Sequence, residues 1–366
     1  MQDNMIVMKS LIIENFKNIK RLQLENLKKV NLIVGKNNVG KSTLLEAIAL
    51  YLAQGVPSYL VQLLEHRGEL TFRQDETDEE RKEHFLSFFN DYKESYTKSD
   101  YVFIGENNND SLGVRLNQVY VKESLEKDED GNERRIRTRL FEEDLTENDT
   151  MLEPGLLISS SITGLLTYGG LRRVWASKDS IMPFQYVDAR VSDSEQNAVL
   201  FDRISLSPDE NEVVEALRII NPLIERITFV TSSNKRDRYP IVTLKDDSRR
   251  YRLSAMGDGI NRILTIILSM LNCKNGVFLL DEFETGLHYS VQEQLWNIVF
   301  SLSEKLNIQV FATSHSRDCI EGFANCNNRQ SGLLIRIENR GETIVPVQYD
   351  NSDDILFAIN KDIEIR

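Results

Sequence analysis

The chain has 366 residues, a length that fits one large domain or two smaller ones. Its composition, 41% hydrophobic and 28% charged, is typical of a soluble protein. The sequence has no apolar span and no signal peptide, which predicts a cytoplasmic chain without membrane contact. Three cysteines without zinc spacing predict reduced thiols and no structural metal, while the net charge of −13 argues against a protein that tracks DNA by itself.

The first predicted elements are two short antiparallel strands, residues 6–14 and 19–24, followed by a buried strand over 30–34. An amphipathic helix then begins near Thr43 and extends to about Leu52. The loop between this buried strand and this helix consists of Gly35, Lys36, Asn37, Asn38, Val39, Gly40, Lys41 and Ser42.

That loop fits the pattern G-x-x-x-x-G-K-[ST], in which backbone N–H groups and a helix N-terminus, here at Thr43, cradle phosphate oxygens. Lys41 would reach the β- and γ-phosphates, and the Ser42 hydroxyl would hold Mg²⁺. A chance glycine-rich turn is the alternative, and the strand before the loop and the helix after it argue against that alternative. The sequence therefore predicts a site for a nucleoside triphosphate.

Residues 56–229 predict a long insertion of helices and strands between two parts of one nucleotide-binding core, 1–55 and 230–366. The insertion is charged and helix-prone over 71–99 and alternates like half-buried strands over 101–106 and 113–122, with a polar hairpin tip at 127–133. A helix is predicted over 209–220, and strands over 229–231 and 241–244. Short basic clusters lie at 134–139, 172–173, 235–238 and 249–252, and such clusters are more often exposed faces than binding sites.

The segment 253–264 is predicted to open a strongly apolar helix that extends to Leu271. Serine and glycine N–H groups at a helix start form an anion site, so Ser254, Gly257 and Gly259 are candidate phosphate-binding residues. Either Ser254 or the backbone of Gly257 could make the main contact, and a simple glycine-rich N-cap is the alternative for the whole segment.

Two carboxylates follow the apolar strand predicted over 276–280, where such a strand would lie beside the phosphate loop. Asp281 would hold Mg²⁺, and Glu282 would polarise the attacking water as general base. A second strand, 308–313, leads into His315, whose position suits a sensor of the γ-phosphate. For His288, a role at a dimer interface and a packed loop histidine both stay open.

Together these motifs resemble the ATP-binding-cassette (ABC) ATPase superfamily in its soluble branch with the SMC and RecF proteins, and more closely the OLD-like family of bacterial AAA-type ATPases. The segments that carry the resemblance are 11–19, 35–42, 256–262, 280–288 and 312–316. It implies an α/β fold, a P-loop ABC-type ATPase head with a mixed or parallel sheet flanked by helices and a long helical and β insertion. It also implies hydrolysis of ATP with Mg²⁺, and Gln185 is the residue that would match the family's Mg²⁺-contacting glutamine.

The resemblance further implies partners. ATPases with such a signature helix close two ATP molecules between two subunits, so a homodimer or higher homo-oligomer is expected. After Ser316 we predict only two strands, 333–337 and 343–348, and a helix over 353–360, without room for the TOPRIM nuclease domain of many OLD-like proteins. The resemblance therefore implies a regulator of a separately encoded effector, such as a nuclease in phage defence, with nucleic acid bound through that partner. A DNA-binding ATPase of repair or maintenance, similar to SMC and RecF proteins, is the alternative, and a transporter motor ranks last.

Overall fold

A computed structural model describes the chain except for residues 1–7, 69–77, 107–112, 128–132, 161–162, 168–181, 190–193, 233–236, 258, 328–329, 342, 362 and 366. Across the described ranges, strands form three sheets of seven, six and three strands, and helices pack against them. Within those ranges, no helix combines the length and the apolar character that crossing a membrane requires.

The strands, in chain order, are β1 (Leu11–Phe16), β2 (Ile19–Leu24), β3 (Val30–Val34), β4 (Val102–Gly105), β5 (Val114–Lys127), β6 (Glu133–Leu140), β7 (Leu152–Ser159), β8 (Thr163–Thr167), β9 (Phe184–Val187), β10 (Ile224–Thr231), β11 (Arg238–Leu244), β12 (Asp247–Arg252), β13 (Val277–Leu280), β14 (Gln309–Ser314), β15 (Gly332–Arg340) and β16 (Thr343–Tyr349). The helices are α1 (Lys41–Leu52), α2 (Pro57–Arg67), α3 (Asp78–Leu86), α4 (Ser194–Ile204), α5 (Pro208–Ile220), α6 (Gly259–Leu271), α7 (Tyr289–Lys305), α8 (Arg317–Cys326) and α9 (Ser352–Asn360).

The six-stranded sheet positions the predicted site. Its order is β16-β15-β3-β14-β13-β9, and all neighbours are parallel except the edge pair β15 and β16. The strands β3, β13 and β14 are buried at every residue, which is what a parallel sheet covered on both faces requires. The mixed, mainly parallel sheet expected of this α/β fold is therefore present, and it places the ends of β3, β13 and β14 side by side.

Two hydrophobic cores lie on opposite faces of this sheet. Alternate residues of β13 enter different cores, because successive side chains of a strand point to opposite faces. Phe278 and Leu280 join the core built with helices α4 to α9, while Val277 and Leu279 join the core that contains α1 and α2. The helix α1, which leaves the phosphate loop, thus packs between this sheet and the seven-stranded sheet.

The seven-stranded sheet joins the N-terminal hairpin to strands of the insertion. Its order is β2-β1-β4-β5-β7-β8, with β6 paired to β5, and the β1–β4 pair aligns Ile13 with Ile104. The first strand of the chain is shorter than the expected 6–14, because Met8 exchanges hydrogen bonds with the side chain of Gln309 instead of joining a ladder. Residues 6 and 7 lie outside the described residues. The division into a core at 1–55 and 230–366 and an insertion between them stays a prediction.

The third sheet, β10-β11-β12, is antiparallel and leads directly into the segment expected to open an apolar helix. That expectation needs correction at its start. Leu253–Met256 is a separate 3₁₀ turn, and α6 begins only at Gly259. The break lies at Gly257, whose φ of 117° is a backbone conformation that glycine adopts readily and other residues rarely do. Ser254 therefore sits on a turn ahead of α6.

Candidate functional site

The phosphate loop connects the buried strand β3 to the first turn of α1. Gly40 is the N-cap of α1 with φ of 105°, a left-handed conformation that favours glycine. The Lys41 ammonium donates hydrogen bonds to the main-chain oxygens of Gly35 (2.8 Å) and Lys36 (3.0 Å), so it is held over the loop. Burial lowers the pKa of Lys41, and nearby carboxylates, Asp281 first among them, oppose that shift. Such a loop presents free N–H groups and a cation to phosphate oxygens.

Asp281, directly after β13, meets Ser42 from the phosphate loop. Asp281 is 6% exposed, and its Oδ1 accepts a hydrogen bond from the Thr313 hydroxyl at 2.5 Å. Burial raises the pKa of Asp281, and hydrogen bonds from Thr313 and Ser42 act in the opposite direction. The structure therefore brings together the two oxygen donors, Ser42 and Asp281, that were expected to hold Mg²⁺.

These donors fit Mg²⁺, which takes oxygen ligands and relies on one or two protein groups plus phosphate and water. Among the described residues, no group of three or more His, Cys, Asp or Glu side chains could hold a metal ion by itself. The fit therefore depends on phosphate oxygens that a bound nucleotide would supply.

Glu282 is held by two threonines. Its main-chain N–H donates to the Thr313 hydroxyl oxygen at 2.8 Å, and its carboxylate accepts from the Thr285 hydroxyl at 2.9 Å. Its φ of 50° is unusual for a residue other than glycine, and such strain concentrates at functional sites. Thr313 thus binds both neighbouring acids, the side chain of Asp281 and the backbone of Glu282. Sequence reasoning missed Thr313, although its place at the end of β14 was a usable signal.

His315 lies just after β14 and is half-exposed. Its Nδ1 is 2.9 Å from Oε1 of Glu284, and its main-chain N–H donates to the same oxygen at 2.8 Å. His288 is placed differently: its ring accepts from the N–H of Ser290, caps α7 and lies 4.2 Å from the Tyr289 ring. Within the described chain, His288 therefore acts as a capping residue, whereas His315 faces the predicted site.

One cavity of about 670 Å³ unites these groups. It is lined by the phosphate loop together with Asp281, Glu282 and His315. Sequence reasoning missed its other wall, formed by Lys17, Asn18, Arg67, Ser87, Asp91 and Tyr92.

That other wall is organised by a buried carboxylate on α1. Glu46 accepts hydrogen bonds from Lys17 at 3.0 Å and from Nε and Nη2 of Arg67, both at 2.7 Å. Tyr92 is 61% exposed and stands in a turn where it and Asp91 both have positive φ. An exposed aromatic ring beside a phosphate-binding loop offers a surface on which a nucleobase could stack.

The remaining candidates do not line this cavity. Gln185 lies inside β9, paired with Phe278, two residues before that strand ends. Ser254 and Gly257 are exposed in the turn before α6, and Gly259 is the first residue of that helix. The roles assigned to these four residues stay predictions.

A buried arginine, also missed from the sequence, links α6 to the ends of two strands. Arg262 is 5% exposed and donates to the main-chain oxygens of Asp188 (2.7 Å) and Asp281 (3.1 Å). Burial lowers the pKa of Arg262, and the charge of Asp188 opposes that shift most strongly. The helix α6, which follows the turn that contains Ser254, is thereby fixed to the backbone at the ends of β9 and β13.

The chain matches one family model and resembles several known proteins. Residues 7–150 and 177–320 match the family described as "AAA ATPase domain". Over 337 residues the chain is 26% identical to an "ATP/GTP phosphatase" of Helicobacter pylori, covering 86% of this chain and 87% of that protein. A stretch of 47 residues is 49% identical to "Uncharacterized protein MJECL10" of Methanocaldococcus jannaschii, 13% of this chain and 22% of that one. Among solved structures, an SMC head bound to the C-winged helix domain of ScpA covers 93% of this chain and 97% of its own, with 13% identity and a TM-score of 0.49.

Proposed function

This chain belongs to the AAA ATPase domain family and hydrolyses ATP, and we propose that it works as a switch in which two copies close over two ATP molecules. One observation carries the proposal. The cavity is lined by the phosphate loop, both acids and His315. The turn with Ser254, Gly257 and Gly259, which we call the signature turn, does not line it, and Ser254 and Gly257 are exposed. A second copy would bring its signature turn to the γ-phosphate.

In the proposed reaction, Lys41 and the loop N–H groups hold the β- and γ-phosphates. Bound Mg²⁺, held by Ser42 and Asp281, would neutralise charge on the phosphate oxygens. Glu282 takes a proton from the attacking water as the water oxygen bonds to the γ-phosphorus and the bond to ADP breaks. His315 contacts the transferring group. Closing on ATP and opening after hydrolysis give two states, which is what a switch needs.

The test is a mixing experiment that uses two inactive variants. The first variant, Lys41→Ala, lacks the lysine contact to phosphate. The second variant, Ser254→Arg, has a blocked signature turn. Co-expressed with different tags, the two variants should regain about a quarter of the wild-type ATPase rate, because about half of the encounters between chains bring the two variants together and each such pair has one intact shared site. ATP turnover by the purified mixture is the measurement.

A matched mixture separates a shared site from a self-contained one. Lys41→Ala with Glu282→Gln places both defects on the same half of the site, so neither site of a mixed dimer is intact and no rate should return. Equal recovery in the two mixtures, or no recovery in the first, contradicts the shared site.

We also propose that the switch regulates a separately encoded effector, such as a nuclease in phage defence. The resemblance of the motifs to OLD-like proteins supports this role, and the cytoplasm is the place we assign to it. A second candidate function differs in the molecule on which the switch acts, which would be DNA instead of a protein effector.

The second candidate is a DNA-binding ATPase, and the outward side of the three-stranded sheet favours it. Cross-strand pairing aligns Arg226, Thr243 and Arg250 in one row, and Arg252 lies in the next row beside Ile241. We call this surface the outer arginine face. In the described part of the chain, its three arginines form no ion pair with a carboxylate.

The opposite side of the same sheet provides an internal contrast. There, Arg249 pairs with Asp247 at 2.9 Å and Arg238 pairs with Asp202 at 2.5 Å. On the outer arginine face, Arg252 lies instead over the ring of Tyr239 at 4.3 Å. Unpaired guanidinium groups beside a half-buried aromatic ring suit a single strand of nucleic acid, which offers phosphates and base faces together.

The two candidates predict different results with labelled oligo(dT). For a DNA-binding ATPase, affinity should fall with salt with a log–log slope of about 2, since each of three phosphate contacts contributes about 0.7. The triple variant Arg226→Ala, Arg250→Ala and Arg252→Ala should lose this binding, and Arg249→Ala should keep it. Such a result would make DNA the client and count against a protein effector. Absence of salt-dependent binding by the wild-type chain removes the second candidate.

A further inference from the structure

Glu284 holds the ring of His315 at one of its two nitrogens. A single carboxylate oxygen, Oε1, takes both Nδ1 of the ring at 2.9 Å and the main-chain N–H of His315 at 2.8 Å. The Glu284 side chain is 10% exposed, and its other oxygen is buried without a hydrogen-bond partner among the described residues. This one side chain therefore ties the loop after β13 to the loop after β14 and fixes the orientation of the ring.

The orientation matters because of how many protons an imidazole carries. A neutral ring has one N–H, and its second nitrogen is an acceptor. With the hydrogen on Nδ1 donated to the Glu284 carboxylate, Nε2 holds a bare lone pair. Phosphate oxygens are also acceptors, so Nε2 could not donate to them. The ring makes both contacts together only when both nitrogens carry a hydrogen, as in the imidazolium ion.

We propose that Glu284 is a positioning residue that makes protonation of His315 a condition for contact with the γ-phosphate. Binding of ATP then takes up one proton from solvent, and the proton returns when phosphate leaves. ADP, which lacks the γ-phosphate, binds without this uptake. The inference rests on the proposed role of His315 as a γ-phosphate sensor, and it specifies the protonation state in which that role is possible.

Other charged groups line the same cavity or follow His315 on α8, and in the described chain none of those named here bonds to the ring. Lys41 lines the same cavity but binds the carbonyls of the phosphate loop, and Glu282 is held by Thr285. Asp281 lines the cavity as well and is bonded to Thr313. On α8, Arg317 donates to the main-chain oxygen of Ile359 at 2.6 Å, and Asp318 is exposed. Glu284 is the acid that contacts the imidazole, so its replacement tests the idea directly.

The experiment is calorimetry of ATP and ADP binding in buffers with different ionisation enthalpies, with the Glu282→Gln change present to prevent hydrolysis. Over the pH range in which the ATP-free protein holds this ring neutral, ATP binding should take up about one proton, and ATP affinity should fall by up to about tenfold per pH unit. ADP binding should show neither effect. ADP affinity also reports that each variant is folded.

Two further changes separate charge from position. In Glu284→Gln, the amide oxygen can still accept the main-chain N–H, but an uncharged oxygen holds a hydrogen on Nδ1 less strongly than a carboxylate does, so the neutral ring can carry its hydrogen on Nε2 and donate it to phosphate. This variant should bind ATP without proton uptake and with a flat pH profile. Asp318→Asn removes a neighbouring exposed carboxylate and should keep the uptake of one proton.

The inference is overturned if ATP binding takes up no proton when Glu284 is present, or if Glu284→Gln and Asp318→Asn take up the same amount. These outcomes are distinct from failure of the switch. A positive mixing experiment without proton uptake overturns the Glu284 assignment alone. A protein that binds ATP and ADP equally at every pH counts against the sensor role of His315 itself.

Discussion

Replacing Glu282 by glutamine is expected to slow ATP turnover by roughly 10²- to 10⁴-fold, the usual contribution of a general base. The amide cannot accept the proton of the attacking water, but it keeps the shape of the side chain and can still accept a hydrogen bond from Thr285. ATP should therefore remain bound, and the closed dimer should accumulate. Phosphate release gives the rate, and size-exclusion chromatography with ATP gives the dimer.

Lys41→Ala is the companion variant for this prediction. It removes the ammonium that reaches the phosphates, so it should lose both ATP binding and ATP-dependent dimer formation. The two variants thus divide catalysis from binding. Equal turnover by wild type and Glu282→Gln would falsify the assignment of Glu282 as the base.

Replacing Arg262 by methionine is expected to lower the free energy of unfolding by roughly 3 kcal/mol, because two main-chain oxygens lose a charged donor in a buried place. Methionine approximates the length of the arginine stem, so little of the loss should come from an empty cavity. The change also releases α6 from the backbone of Asp281, and ATPase activity should fall with stability. Urea unfolding followed by circular dichroism is the measurement.

Arg218→Met provides the matched control. Arg218 also donates to a main-chain oxygen, that of Ile224 at 2.8 Å, but its side chain is 30% exposed. Water can replace that hydrogen bond, so the control should lose less than about 1 kcal/mol. Equal losses in the two variants would mean that the burial of Arg262 adds nothing to its contribution.

Much of the site could be predicted because its motifs are local. The phosphate loop needs only a strand, a spaced pair of glycines and a helix, and these occupy adjacent positions from Val30 to Leu52. The acids Asp281 and Glu282 follow a buried strand, as expected. Parallel strands of one sheet then bring such local motifs to a common edge. Short-range patterns and one rule of topology were enough for this part.

The contacts that hold those residues could not be predicted in the same way. Thr313 and Asp281 are 32 positions apart, and Arg262 binds backbone oxygens 74 and 19 positions away. Such pairs depend on how the sheet and α6 pack, and one sequence does not reveal packing. The turn of Asp91 and Tyr92 in the other wall of the cavity was missed for a related reason. Both residues have positive φ, and the turn has no sequence periodicity that would mark it.

The alternation of β13 between two cores has a mechanical consequence. A strand whose neighbouring side chains are embedded on both sides cannot shift without disturbing both cores, and packed interiors resist such displacement. The six-stranded sheet is therefore rigid, and we expect its strands to move little when a phosphate bond is cleaved. We expect the displacement that ATP hydrolysis produces to pass through the loops after β13 and β14. The ends of these two strands would then transmit the conformational change to the rest of the molecule.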